Sequence, residues 1–334
     1  MKAYFFSAFM LASIFFIGCS DHDTDGSKNY NAKDFIEELS EKSKQTFDLN
    51  TTQLPKTLEL KGGTKITISP GTFTKNGIPV TGNFTVEVRE ILKPSDIIFS
   101  GTNTNYKDGS PLLSDGFLYI DVTQGDGSVD KVLSKNLQIE ISKPIDVNRA
   151  TFLWEGIENA GEGENQFAWD NFPEDGVVMN DTGQNGRDAG MAWGEKGSVV
   201  FVFDLGKLGW FNCDIYWDSS NGRTTVYVTL TGVFGALAAY QGYVGDTFVF
   251  FCGRGDKVIS QLYTQNGKNG VKSYDNSMPK GKIGKLIAFS IKDGIFSYAS
   301  QDNVTITENM NLTLDLKETT KEFIQAEIEA LDNF

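Results

Sequence analysis

Histidine is almost missing from this chain: His22 is the single example in 334 residues. Nucleophilic mechanisms that need a His base, and metal sites built on imidazole, therefore have nothing to work with beyond position 22. Cysteine is scarce as well, since after Cys19 only Cys213 and Cys252 remain. Two thiols and one distant imidazole fall short of a zinc ligand set. The sequence has no Gly-x-Ser-x-Gly elbow, no phosphate-cradling Gly-Lys-Ser/Thr loop and no His-Glu-x-x-His pair, so no metal or cofactor is expected. Positive charge is in deficit too. The formal charge of −14 repels phosphate backbones and anionic headgroups, so nucleic acid is not an expected partner. Beyond residue 18 no apolar run reaches the roughly 20 residues that a membrane-spanning helix needs.

The N-terminus carries the clearest positive signal. Met1-Lys2 precedes an apolar run from Ala3 to Ile17, broken only by Ser7 and Ser13. A positive start, a short apolar middle and a small residue before a cut make up a secretory signal. The cut region, Phe16-Ile17-Gly18-Cys19, resembles the lipobox of bacterial lipoproteins, with Phe16 where Leu is usual. That resemblance implies cleavage after residue 18 and acylation of the Cys19 thiol, which makes Cys19 the lipid attachment residue and a membrane its partner. Acyl chains hold firmly because each buried methylene adds about 0.8 kcal/mol. Losing residues 1–18 removes one cation, Lys2, and moves the charge from −14 to −15. Asp21, Asp23, Asp25 and Gly26 begin like a calcium loop, but the twelfth position, where a bidentate Glu belongs, is Ala32. Residues 19–31 read instead as an acidic tether. Its Ser-Asp-rich start resembles the signal that sends lipoproteins of the Bacteroidota to the outer face of the outer membrane. An outer-membrane protein facing the exterior is the expectation.

Periodicity divides the remainder. Phe35, Ile36 and Leu39 lie on one side of a short helix expected within residues 32–47, in a linker over 32–51. From Thr57 the pattern changes to period two, as in Asn83-Phe84-Thr85-Val86-Glu87-Val88 and Leu137-Gln138-Ile139-Glu140-Ile141, with turn formers such as Asn76-Gly77 and Asp126-Gly127 between. Residues 52–147 are thus expected to form one antiparallel β-sandwich. Residues 148–196, acidic and rich in Gly and Asn, read as a linker or insertion with short strands at Thr151–Trp154 and Gln166–Trp169. A second β domain follows over 197–316, and Thr247 to Cys252 looks buried on both faces. Residues 317–334 close the chain as a helix, with a capping-box pattern at Thr319 to Glu322 and an apolar stripe of Phe323, Ile324, Ile328 and Leu331. The expected class is mostly β: two antiparallel β-sandwich domains, a short N-terminal helix and a C-terminal capping helix.

The segment Gly62-Gly63-Thr64-Lys65-Ile66-Thr67-Ile68-Ser69-Pro70-Gly71-Thr72-Phe73 resembles the opening of the β-sandwich domain shared by ankyrins and netrin receptors. Gly77 to Gly82, Glu87 to Leu92 and Leu113 to Gly116 look closer to uncharacterised lipoproteins of the Bacteroidota, which place such a domain before a second β domain. Met278 to Gly281, the strand at 285–290 and Asn303 to Leu316 are similar in strand order to carboxypeptidase-regulatory and transthyretin-like modules. These resemblances imply fold, and binding or assisting roles; none carries a catalytic residue across.

Two features remain open. Cys213 and Cys252 can form a disulfide, closing a loop worth about 3–4 kcal/mol, or stay as two buried thiols. All five tryptophans, Trp154, Trp169, Trp193, Trp210 and Trp217, fall within one short stretch. Trp154, Trp169 and Trp193 are the candidates for stacking on a glycan, against an aromatic core where two domains meet. The favoured function is a non-catalytic binding or assembly module with a glycan or another envelope protein as partner. The alternatives are a polysaccharide-degrading enzyme working through paired carboxylates and a structural subunit of a surface fibre.

Overall fold

The computed structural model describes residues 29–142, 151–158, 167–171, 191–192, 200–238 and 242–334. Cys19, His22 and Trp193 lie outside them.

The described chain is mostly β. The first sandwich uses β1 (Lys44–Asn50), β2 (Lys56–Glu59), β3 (Lys65–Ile68), β4 (Asn83–Ile91), β5 (Leu112–Gln124), β6 (Val132–Ser142), β7 (Thr151–Glu158), β8 (Phe167–Asn171), β9 (Val200–Lys207) and β10 (Gly209–Tyr216). One sheet runs β1-β4-β5-β10-β7-β8 and the other β9-β6-β3-β2, with every pairing antiparallel. Alternation sets the faces. On β4, Phe84, Val86 and Val88 point into the sandwich, where they meet Ile66, Ile139 and Phe201 from the facing sheet. Glu87 and Arg89 point outward and pair with each other. At the Asn76-Gly77 turn both residues have φ above +50°, and the Asp130 carboxylate accepts hydrogen bonds from both backbone N–H groups. Those bonds, with one from the Thr74 hydroxyl, hold Asp130 below the usual carboxylate range.

The second sandwich is built from β11 (Tyr227–Gly232), β12 (Thr247–Gly253), β13 (Ile259–Gln261), β14 (Gly270–Lys272), β15 (Ile283–Lys292), β16 (Ile295–Thr305) and β17 (Asn311–Thr319). They form one folded-over sheet in the order β13-β12-β15-β16-β17-β11-β14. β17 changes layer within its length. Asn311 to Leu316 pairs in parallel with β11, and Lys317 to Thr319 pairs antiparallel with β16.

Two segment assignments differ from expectation, and a third is made definite. Residues 44–50 leave the N-terminal helix and become β1, because Phe47 and Leu49 alternate with polar neighbours and reach the first core. The acidic stretch does carry the two short strands expected in it, as β7 and β8, and they extend the main sheet. β9 and β10, expected in the second domain, complete the first sandwich: Phe201 pairs with Ile141 and Phe211 with Leu118. The change from first to second sandwich therefore falls after Tyr216.

Helices α1 (Ala32–Ser40), α2 (Pro94–Phe99) and α3 (Lys321–Glu329) lie between the sandwiches. Asn31 caps α1 in a reciprocal capping box with Asp34. In α3 the cap is Thr320, one residue later than the sequence pattern suggested, and its side chain accepts from Phe323 N. The C-terminus also caps α2, because Asp332 Oδ1 accepts from Ser95 N at 2.9 Å. Phe35, Ile98 and Ile324 from the three helices join Phe117 and Trp169 of the first sandwich and Phe248, Phe250 and Phe289 of the second in one apolar layer. β12 is buried along its whole length, with Val249 and Phe251 facing its own sandwich and Phe248 and Phe250 facing this layer.

Phe289 packs against Phe35, Phe248 and Phe250 at ring separations of 5.5–6.2 Å. Phe289→Ala should cost about 3–5 kcal/mol, measured by urea unfolding. Because the layer belongs to both sandwiches, tryptophan fluorescence and far-UV circular dichroism should report one coincident transition before and after the change.

Candidate functional site

The four tryptophans among the described residues are structural. Trp154 and Trp169 are 2 % and 0 % exposed, and Trp210 and Trp217 are buried as well. Each indole N–H is used: Trp154 donates to Asp214 O, Trp169 to Asn103 O, Trp210 to Glu158 Oε1 and Trp217 to Asp256 Oδ2. Edge-on contacts with Phe117 and Phe167 fill the faces of Trp169. The expectation that Trp154 and Trp169 stack on a ligand is thereby corrected, because β7 and β8 turn these rings toward the shared layer. Trp193 is outside the described residues.

The cysteine bridge is not formed. Cys213 and Cys252 are free thiols, Cys213 inside the first sandwich and Cys252 in the layer between the two. Burial pushes both thiols well above their ordinary range, so neither is an activated nucleophile.

Between the sandwiches runs a seam of buried polar groups. Asn105 Oδ1 accepts from Gln261 N at 2.8 Å while its Nδ2 donates to Gln261 O at 3.2 Å, so the amide imitates a strand partner for β13. Thr104 exchanges backbone and side-chain hydrogen bonds with Ile259. Gln261 in turn holds Asn103 and both polar atoms of the Gly242 backbone. Further along, Asn212 and Asp214 are fully buried beside Ser114 and Asp115. Burial first, then the charge of Asp115, raises Asp214 well above the usual carboxylate range. Lys257 reaches this pair from the second sandwich; burial lowers its pKa, while Asp115 and Asp214 oppose that shift.

The seam opens to solvent in a cleft of about 390 Å³ lined by both sandwiches. Tyr216, at the end of β10, is 42 % exposed, and Tyr274, from the loop after β14, is 50 % exposed. Arg223 lies with them, its Nη1 donating to Ser110 Oγ at 2.8 Å and to Ser277 O at 3.2 Å. No other guanidinium hydrogen bond of Arg223 occurs among the described residues. Asp108 Oδ1 accepts from Ser110 N, and Asp275 is paired with Lys272 at 2.6 Å. Tyr216 rests edge-on against Trp154 and Tyr106 at 5.4 and 6.0 Å. Tyr274 packs over Gly109, where a β-carbon would come within 2.3 Å of Tyr274 Cβ. Burial raises Tyr216 above its ordinary range, so its hydroxyl stays a proton donor at neutral pH.

Two other clefts are larger and more committed internally. One, of about 410 Å³ beside α1, has its Arg89 and Glu87 tied to each other and to Glu41 and Lys44. The other, of about 520 Å³, holds Asp96, pushed up to about 6 by burial and then by Asp332. No group of three or more His, Cys, Asp or Glu that could hold a metal occurs among the described residues. Sequence reasoning missed Tyr216, Tyr274 and Arg223. Tyr216 continues the strand pattern of Gly209–Tyr216, and Tyr274 sits in an ordinary turn, so only the meeting of two sandwiches distinguishes them.

No protein-family model matches the chain, and no curated protein matches it.

The raised Asp214 gives a pH prediction with a definite sign. The folded state holds this proton more tightly than the unfolded chain, so Asp214 costs stability progressively as pH rises above the ordinary carboxylate value near 4. Asp214→Asn keeps an oxygen acceptor for Asn212 and removes that cost. Its unfolding free energy relative to the parent should grow between pH 4 and 7, followed by urea unfolding at each pH.

Proposed function

We propose that the chain is a lipid-anchored binding module on the exterior of the outer membrane, non-catalytic, which engages a glycan or another envelope protein through the seam cleft. One observation carries the binding part. Two exposed tyrosines and a partly committed arginine, from two different sandwiches, are brought into one ligand-sized cleft on a rigid seam. Binding sites favour such junctions, where convergent polar groups lie against aromatic walls. The buried thiols and the imidazole-free fold add no nucleophile to it. The anchor rests on the lipobox-like Phe16 to Cys19, and the exterior location on the Ser-Asp start of the tether.

Anchor and cleft are tested separately. Cys19→Ala should abolish incorporation of an alkyne-tagged fatty acid and move the protein out of the membrane fraction; a labelled, membrane-bound variant would overturn the anchor. Purified full-length protein should bind envelope polysaccharide or envelope protein fractions, and Tyr216→Ala combined with Tyr274→Ala should weaken that binding at least tenfold. Equal binding by the double variant would remove the cleft from the function.

A further inference from the structure

We infer that the seam cleft takes a neutral saccharide, with a pyranose face laid on Tyr216 or Tyr274 and its hydroxyls bonded by Arg223 and Asp108. This names the ligand class and rests on the cleft being the binding site.

The cleft's charge selects against ions. The chain as a whole is strongly acidic, yet here Arg223 balances Asp108, and Lys272 balances Asp275. A cationic ligand finds no surplus carboxylate, and an anionic one must approach an acidic protein for a single guanidinium. A neutral ligand pays no such penalty. The polar groups are of the right kind for vicinal hydroxyls. Arg223 Nη1 is fixed by Ser110 and Ser277, which orients the guanidinium and leaves its remaining donors in a planar fork. Asp108 uses Oδ1 on Ser110 N, which leaves Oδ2 as an acceptor beside it. Donor and acceptor side by side suit a diol, whose oxygens each both give and take a hydrogen bond.

The aromatic groups suit the apolar faces of a sugar ring. Tyr216 and Tyr274 keep about half their surface in solvent although each is held from behind, Tyr216 by Trp154 and Tyr274 by the Gly109 backbone. Rings mounted in this way lose little freedom when covered, so the entropy cost of binding is low. A proline-rich peptide also uses tyrosine grooves. It presents few hydroxyl groups to the Arg223–Asp108 pair, which is why the sugar is favoured.

The test is an array of neutral and acidic oligosaccharides, with a proline-rich peptide series beside it, probed with the full-length protein in detergent. Neutral saccharides should bind, with an affinity little changed between 50 and 500 mM salt. Tyr274→Ala, at an unchanged melting temperature, and Arg223→Ala should each weaken binding at least tenfold, and Tyr274→Phe should keep most of it. Binding confined to acidic sugars and lost with salt would overturn the neutral class. Peptide binding that Tyr274→Ala abolishes would overturn the saccharide and leave the cleft as the site. Saccharide binding indifferent to all three variants would overturn both.

Discussion

Each sandwich has a sheet face that is too apolar to be left in water, and the two faces cover each other. On β12 the alternation fails because both faces are buried, so Phe248 and Phe250 need a partner as much as Val249 and Phe251 do. On the first sandwich Phe117, Trp154 and Trp169 have the same need. Direct sheet-on-sheet packing would leave gaps where the sheets twist apart, and the three helices fill them. This explains how α1, α2 and α3, distant in sequence, come to share a layer. It also explains why Asp332, in the turn after α3, can serve as a cap of α2.

An apolar layer holds the sandwiches together without fixing their register, because the hydrophobic effect has no direction. The register comes from the polar seam. A side-chain amide at Asn105 acts as a strand partner for Gln261, and Gln261 holds Asn103 and Gly242. A shift of a single residue would leave several of these buried groups unpaired, at about 1–3 kcal/mol each. The Asp115–Asp214–Lys257 cluster is a more costly form of the same device, since burial works against the charged state of both Asp214 and Lys257. Asp115 and Asp214 offset part of that cost for Lys257, and separating the sandwiches would forfeit it.

The sequence expressed the strands well and their partners poorly. Alternation at Asn83–Val88 and Leu137–Ile141, the Asn76-Gly77 turn and the doubly buried run at 247–252 could all be read directly, because each is a local pattern. Sheet membership is not local. Val200–Lys207 reads the same whether it joins β6 or a strand of the second sandwich, and the partner is visible only in the fold, where Phe201, Phe203 and Leu205 enter the first core. The helix expected within 32–47 ends at Ser40, because past Leu39 the apolar positions Phe47 and Leu49 follow a period of two rather than the stripe of Phe35, Ile36 and Leu39. The clustering of tryptophans left two readings open, an aromatic core and a ligand surface, and burial of Trp154, Trp169, Trp210 and Trp217 selects the core, since large aromatics gather wherever area is buried.

The buried tryptophans also lead to the cleft. Trp154 donates its N–H to the backbone of Asp214 and lays its ring against Tyr216, two residues further along the same face of β10. The buried carboxyl, the strand that carries it and the indole it anchors are therefore successive parts of one mount, and Tyr216 is the part that reaches water. A surface tyrosine on a loop would move freely and lose entropy on binding. This one is positioned by a core that already exists for another reason, the joining of two sandwiches. Trp154 does not reach solvent itself; it holds in place the tyrosine that does.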